Sequence, residues 1–123
     1  RYDPDLADFA QRSEQWWGYL VKQGIAPVVV TEFGMSHDFR SSPDVAQWWE
    51  KLSGYLTKDG PLADDGGLDW MYWALPGEQE GGVSRTEGAT ETFGVMNHCL
   101  TAPASEQHMD AIRSIMRRGD LVI

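Results

Sequence analysis

The stretch Pro27-Val28-Val29-Val30-Thr31-Glu32-Phe33-Gly34 decides the fold of this chain. A short β-branched run bounded by proline and glycine predicts a buried strand. Alternation along the strand predicts that Glu32 shares a face with Val28 and Val30, and that Phe33 lies on the opposite face. An unpaired carboxylate is costly beside buried valines. Glu32 is therefore a candidate functional residue at the strand's carboxyl end, where parallel α/β folds carry their active sites.

Helical periodicity and turn residues divide the rest of the chain into further elements. Apolar residues recur at helical spacing over 4–23 and 43–57. Asp3-Pro4 and Ser42-Pro43 are the expected starts of these helices, and Gly24 and Gly60 follow their ends. The aromatic run 68–75 predicts a second strand, and residues 76–103 a long functional loop. Ser105 is the expected cap of a last helix, and Arg117-Arg118-Gly119 is its expected end. Strands that alternate with helices predict parallel pairing with right-handed crossovers.

The second predicted strand brings an indole ring beside the carboxylate. Alternation predicts one face with Asp69, Met71 and Trp73, and another with Leu68, Trp70, Tyr72 and Ala74. Neighbouring strands lie about 4.8 Å apart, so Glu32 and Trp73 would flank one pocket. Glycoside chemistry needs such a pair: an anion under the anomeric carbon and an aromatic platform for the sugar ring.

Composition narrows the classes of partner. The formal net charge of −9 argues against nucleic acid and anionic membrane surfaces, which attract clustered Lys and Arg. No apolar run approaches the roughly 20 residues that a membrane span needs, and no signal peptide is recognisable. Cys99 is the single cysteine, and we expect it to be buried as a small apolar residue. His98 and His108 lie on different elements, so no metal site is predicted.

Two parallel strands and three helices leave a sheet with exposed edges. The chain begins in a helix lead-in and stops on the apolar Leu121-Val122-Ile123. We therefore expect residues 1–123 to be the C-terminal segment of one larger α/β domain, whose N-terminal part supplies more sheet.

Several motifs resemble glycoside hydrolase family 5, the cellulase-like (β/α)8 TIM barrels. The stretch 27–34 is similar to that family's seventh strand, and Leu68-Asp69-Trp70-Met71-Tyr72-Trp73-Ala74-Leu75 to its eighth. Segments 85–88 and 91–97 resemble the part between the eighth strand and the last helix. The resemblance implies helix 6, strand 7, helix 7, strand 8, a long loop and helix 8 of an incomplete barrel.

By that resemblance, Glu32 matches the catalytic nucleophile and Trp73 the aromatic platform under the sugar at the cleavage point. Thr31 departs from the small residue expected before the glutamate. The family's acid/base glutamate follows an asparagine on an earlier strand, and this chain contains no Asn-Glu pair. The resemblance thus implies one of two required carboxylates here, and an isolated fragment without hydrolytic activity.

Other polar residues follow the two strands. His37, next to Asp38, comes after the nucleophile strand and is a candidate substrate contact, with a solvated loop as the alternative. Glu78 and Gln79 follow the second strand and are candidate ligands for sugar hydroxyls. Arg85 and Glu91 are expected to pin the long loop through an ion pair or backbone hydrogen bonds.

The implied function is a retaining β-glycosidase that acts on a β-linked oligosaccharide, polysaccharide or glycoconjugate. Two carboxyl groups and water suffice for this chemistry, so no cofactor is expected. Family resemblance also implies a secreted or extracytoplasmic location. One rival is a non-catalytic carbohydrate-binding barrel that keeps the aromatic platform. A second is an open doubly wound α/β domain, which the lack of a Gly-rich phosphate loop after Gly24 or Gly34 disfavours.

Overall fold

The computed structural model describes residues 6–116 and contains an α/β arrangement of three helices on one parallel pair of strands. Helix α1 occupies residues 9–22, strand β1 Val29–Phe33, helix α2 Pro43–Leu56, strand β2 Asp69–Tyr72 and helix α3 Glu106–Arg113. Short 3-10 turns lie at Phe39–Ser41 and Ala63–Asp65. The predicted order of elements is confirmed within the described residues.

Helix α1 starts later than its sequence pattern predicts, and it changes pitch in the middle. It begins at Phe9 after Asp8, whereas the predicted cap at Asp3 and Pro4 lies outside the described residues. Its central stretch Glu14–Gly18 is π-helical. A Cβ atom on Gly18 would collide with the hydroxyl of Tyr55, so the small residue lets α1 pack closely on α2.

The ends of the helices follow their sequence signals elsewhere. Gly24 has a φ of +65°, as a helix-terminating glycine requires, and it follows the last turn of α1. Pro43 stands in the first turn of α2 after an extended Ser42. In α3, the backbone N–H of His108 donates to Oγ of Ser105 at 3.3 Å, which is the predicted cap. The predicted end at Arg117-Arg118-Gly119 lies outside the described residues.

Strands β1 and β2 pair in parallel, and β1 carries a bulge where the sequence predicts simple alternation. Val30 pairs with Trp70 and Phe33 with Tyr72, so Thr31 and Glu32 together oppose one residue of β2. Phe33 therefore joins Val30 on the face that packs on the core, while Thr31 and Glu32 are both exposed. The predicted sharing of a face by Glu32 and Val30 is wrong because the extra residue resets the alternation.

The two faces of β2 follow the predicted alternation. Leu68 is buried and Trp70 and Tyr72 are half-buried against the core, while Met71 is 58% and Trp73 38% exposed. The core lies between this face of the sheet and the helices, and Phe33 contacts the rings of Trp49, Trp70 and Tyr72 within it. The other face of the sheet, with Val29 43% exposed, is uncovered in the described part of the chain.

The long connection between β2 and α3 is an ordered loop tied down by its own backbone. Isolated antiparallel bridges join Glu78 to Thr90, Gly82 to Arg85, and Met96 to Pro103. Cys99 lies on its surface, so the expectation of a buried thiol is wrong. The loop turns outward there, and the core is filled by residues from β1, β2 and the helices instead.

Candidate active site

Glu32 and Trp73 lie at the same end of the two-stranded sheet. The backbone N–H of Trp73 donates to the carbonyl of Phe33 at 2.9 Å, which joins the carboxyl ends of β1 and β2 directly. Glu32 lies in the bulge of β1 and is exposed, as are Met71 on β2 and Trp73 just beyond it. Within the described residues, an exposed carboxylate and a partly exposed indole thus lie at the carboxyl ends of two paired strands. The peptide bond between Trp73 and Ala74 is cis.

The ring of Trp73 is held from the loop side by two neighbours. The guanidinium carbon of Arg85 lies 4.9 Å from the ring centroid of Trp73, a cation–π arrangement. Phe93 contacts the same indole with ring centroids 6.1 Å apart. These contacts leave Trp73 38% exposed, so part of its surface remains open to a ligand.

Arg85 is itself fixed by the carboxylate of Glu91. Glu91 is 1% exposed, its Oε2 pairs with the guanidinium of Arg85, and its Oε1 accepts from the backbone N–H of Phe93 at 3.1 Å. Both oxygens of a buried charge are therefore satisfied. The prediction that Arg85 and Glu91 pin the long loop is confirmed, and their support of Trp73 is an addition that the sequence did not indicate.

A cleft of about 500 Å³ opens beside Trp73. Its walls come from the end of β2 and from the loop that returns over it, and among its lining residues are Leu75, Glu78, Glu80 and Arg85. An aromatic ring, carboxylates and a guanidinium around an open cleft can contact both the apolar faces and the hydroxyls of a sugar.

Glu78 and Gln79 occupy different environments in this loop. Glu78 lines the cleft, and its Oε2 lies 2.8 Å from Nδ1 of His98. Gln79 is engaged by the loop itself: its Oε1 accepts from the backbone N–H of Thr86 at 3.2 Å, and its Nε2 donates to the carbonyl of Thr90 at 3.4 Å. The side-chain amide of Gln79 therefore holds the loop together.

His37 turns toward the protein and Asp38 toward the solvent. His37 is half-buried, its Nε2 donates to the carbonyl of Gly94 at 2.6 Å, and its ring lies 5.2 Å from that of His108. Asp38 is exposed and accepts from Oγ of Ser36 at 2.7 Å. His37 thus links the segment after β1 to the long loop. Neither His37 nor Glu32 is among the residues that line the cleft beside Trp73.

A buried network behind the strand ends joins residues for which the sequence predicted no functional role. The hydroxyl of Tyr72 lies 2.7 Å from Nε2 of His108, and it bonds to both the backbone N–H and the carbonyl of Met35, at 2.9 and 3.0 Å. His108 is 0% exposed. A histidine within the apolar stripe of α3 was the one signal of this network in the sequence.

The environment keeps both ring systems of this network neutral near pH 7. Burial, with a smaller contribution from nearby His37, lowers the pKa of His108 to about 4. Burial likewise raises the pKa of Tyr72 to about 12. The network is therefore a set of neutral hydrogen bonds and not an ion pair.

Among residues 6–116, no group of three or more His, Cys, Asp or Glu side chains is arranged to hold a metal ion. Over the same range, none of the helices combines the length and apolar character that a bilayer crossing requires.

Part of the chain is similar to part of a known enzyme. The chain is 36% identical over 76 residues to an endoglucanase of Paenibacillus polymyxa. This similarity covers 51% of the chain and 19% of the relative, so the chain spans about a fifth of the length of the curated relative that it matches. No protein-family model matches the chain. The likeness is thus to part of a cellulase-like enzyme.

Proposed function

We propose that this chain is the C-terminal part of a (β/α)8 barrel of glycoside hydrolase family 5, and that the whole protein is a retaining β-glycosidase. In this mechanism the carboxylate of Glu32 attacks the anomeric carbon while a carboxylic acid protonates the leaving oxygen. The resulting glycosyl-enzyme is then hydrolysed by water, which the same second carboxylate deprotonates.

The observation that carries this proposal is the bulge in β1. A regular strand would turn Glu32 to the same side as Val30, toward the helices. The extra residue leaves the carboxylate exposed at the carboxyl end of a parallel strand, beside the strand that bears Trp73. Bulges occur preferentially beside active sites, where they redirect a side chain, and barrel enzymes use this end of their strands for catalysis.

Trp73 is proposed as the platform under the sugar ring at the cleavage point. The exposed part of its indole suits the apolar C–H face of a pyranose. The contacts from Arg85 and Phe93 restrict the ring before a substrate arrives, which lowers the entropy lost on binding.

The general acid/base carboxylate is proposed to come from outside residues 1–123. The chain has no Asn-Glu pair of the kind that carries this residue in the resembled family. The sheet in the described residues has only two strands, which supports the same view, because a barrel wall needs further strands at its edges.

The proposed substrate is a β-linked oligosaccharide, polysaccharide or glycoconjugate, and no cofactor takes part. The partial likeness to an endoglucanase favours a β-glucan among these. A polysaccharide does not cross a bilayer, so we propose a secreted or extracytoplasmic location for the whole protein.

The direct test is Glu32→Gln in the full-length protein, assayed with an aryl β-cellobioside. Replacing the nucleophile is expected to lower kcat by about 10⁴-fold or more, because the covalent step is lost. Glu50→Gln, an exposed carboxylate on the outer helix α2, is the matched control and is expected to retain full activity. Survival of wild-type turnover in Glu32→Gln would refute the assignment.

Binding and turnover assays on the same full-length protein distinguish a catalytic barrel from a non-catalytic carbohydrate-binding barrel. A true nucleophile variant loses turnover and still binds cello-oligosaccharides, since Trp73 is untouched. If the wild-type full-length protein binds these sugars and hydrolyses none of a panel of aryl β-glycosides, the binding barrel is the correct reading.

A further inference from the structure

We propose that Tyr72, held in place by His108, is the positioning residue for Glu32. This inference rests on the proposed function, because it assigns a role relative to the nucleophile. The hydroxyl of Tyr72 clamps the chain just beyond β1, and the clamp sets where the carboxylate of Glu32 stands relative to Trp73.

The hydroxyl of Tyr72 forms hydrogen bonds with both backbone polar groups of Met35. Met35 donates its backbone N–H to the Tyr72 hydroxyl at 2.9 Å and lies with its carbonyl oxygen 3.0 Å from the same hydroxyl. Met35 follows Glu32 by three residues, and its side chain is 1% exposed in the core. One phenol thus fixes the backbone at the point where the chain leaves the nucleophile strand.

Beyond the last backbone hydrogen bond between β1 and β2, the hydroxyl of Tyr72 still holds the chain that follows β1 against β2. The last backbone bond of the pair runs from Trp73 N–H to the carbonyl of Phe33, at 2.9 Å. Between the two anchor points lies Gly34, whose backbone passes so close to the carbonyl of Trp73 that a Cβ atom would collide with it. Glu32 is therefore adjacent to a segment held on β2 at Phe33 and again at Met35.

His108 completes the hydrogen bonds of the Tyr72 hydroxyl. A phenol oxygen accepts two hydrogen bonds and donates one. Met35 N–H supplies one bond and Met35 carbonyl receives the phenol proton, so the remaining partner, Nε2 of His108 at 2.7 Å, must donate. This assignment makes His108 the neutral Nε2–H tautomer.

The other ring nitrogen agrees with that tautomer. Nδ1 of His108 is buried without a hydrogen-bond partner among the described residues. The Nε2–H tautomer leaves a lone pair and no N–H group at this site, and buried N–H groups without a partner are the rarer case in proteins. His37, from the segment after β1, also opposes a second proton on this ring across 5.2 Å. The lowered pKa of His108, about 4, is consistent with a neutral ring at neutral pH.

The first test removes the hydroxyl and keeps the ring: Tyr72→Phe in the full-length protein. Loss of the clamp is expected to lower kcat for an aryl β-cellobioside by about tenfold or more while KM changes less than about twofold, because a misplaced nucleophile affects the transition state more than ground-state binding. Tyr55→Phe is the matched control, since Tyr55 is a buried tyrosine of α2 whose hydroxyl bonds to Oε2 of Glu14. It is expected to keep the wild-type kcat.

The second test uses His108 and remains informative if Tyr72→Phe does not fold. His108→Gln retains an N–H donor that reaches the phenol oxygen, whereas His108→Leu fills similar space without a donor. The proposal expects the Gln variant to keep most of the wild-type kcat and the Leu variant to lose about tenfold. Equal activity of the two variants, or wild-type kcat in Tyr72→Phe, would overturn it.

A spectroscopic measurement tests the arrangement without any assay. Long-range ¹H–¹⁵N correlation in the full-length protein is expected to show His108 as the Nε2–H tautomer at pH 7, and an Nδ1–H tautomer would overturn the hydrogen-bond assignment.

The Glu32→Gln variant distinguishes a failure of the positioning role of Tyr72 from a failure of the proposed function. If that variant is inactive while Tyr72→Phe is fully active, the positioning role fails and the nucleophile assignment stands; if Glu32→Gln is fully active, the proposed function itself fails.

Discussion

Glu91 is a nearly fully buried carboxylate whose only cationic partner in the described part of the chain is Arg85. A buried charge that loses its partner is strongly destabilising, whereas an exposed ion pair contributes little. The same guanidinium also covers part of the Trp73 ring. One arginine therefore links the stability of the loop to the orientation of the indole.

Arg85→Met is expected to lower the free energy of unfolding by about 2 kcal/mol, a value reduced from the fully buried case because the Arg85 side chain is 31% exposed. Adding Glu91→Gln is expected to restore most of the loss, since the amide oxygen still accepts from Phe93 and no charge remains. Urea denaturation of the full-length protein measures both values. Lys58→Met, which breaks the exposed pair with Asp59, is the control and should cost less than about 0.5 kcal/mol.

His108 makes stability depend on pH in a defined direction. Its pKa is lowered from 6.5 to about 4 in the folded state, so the folded chain binds fewer protons than the unfolded chain between these values. The contribution is complete above pH 6.5 and is lost as the pH falls toward 4. The difference between the two pKa values corresponds to a loss of about 3 kcal/mol in the free energy of unfolding at pH 4.

This dependence is measured by comparing wild type with His108→Gln. The difference between their unfolding free energies is expected to shift in favour of the variant by about 3 kcal/mol from pH 7 to pH 4. Chemical denaturation at each pH gives the two curves. Parallel curves over this range would contradict a neutral, buried His108.

At the scale of elements, the junction of β1 and β2 depends on a residue without a side chain. A Cβ atom on Gly34 would meet the carbonyl of Trp73 and approach Phe93 at 3.2 Å. The carbonyl belongs to the backbone and cannot rotate away, so the strand ends must separate. The consequence falls on Glu32 and Trp73 together, because each lies beside this contact.

Gly34→Ala is therefore expected to cost about 2–3 kcal/mol of unfolding free energy and to lower the activity of the full-length protein more than its sugar binding. Gly82→Ala in the long loop is the matched control, because no atom lies within 4 Å of its added Cβ. That variant should stay within about 0.5 kcal/mol of wild type. Thermal melts with parallel kinetics distinguish the two, and an unperturbed Gly34→Ala would contradict the close contact.

The elements that the sequence predicted well are those in which a local pattern decides the structure. Helix α2 runs from its proline nearly to its predicted end, and β2 keeps the alternation read from Asp69, Met71 and Trp73. The bulge in β1 was not predictable in this way, because an extra residue is set by pairing with another strand. The π-helical turn of α1 was not predicted either; it lies against Tyr55, whose hydroxyl donates to Oε2 of Glu14.

In the candidate site, too, some features were predictable from the sequence and others were not. The pairing of the two strands that lead to Glu32 and Trp73 was predictable from their order, since consecutive parallel strands are usually neighbours. The stacking of Arg85 on Trp73, the use of the Gln79 amide by the loop and the clamp on Met35 arise from long-range contacts. No spacing along the chain encodes them.

At the scale of the whole molecule, the chain carries only part of the proposed active site. It supplies the exposed Glu32 and Trp73, and the proposed general acid lies outside residues 1–123. An isolated chain of these residues is expected to release no chromophore from an aryl β-cellobioside. Clear turnover that Glu32→Gln abolishes would show that a second carboxylate within the chain can serve, and would contradict this division of the site.

The central claim, that Glu32 is the nucleophile, is tested most directly by trapping the covalent intermediate. A 2-deoxy-2-fluoro β-cellobioside with an activated leaving group is incubated with the full-length protein, which is then digested and mapped by mass spectrometry. The account predicts one fluoroglycosyl group per protein, attached to Glu32 and absent from Glu32→Gln. A label on another carboxylate, or equal labelling of the variant, would contradict it.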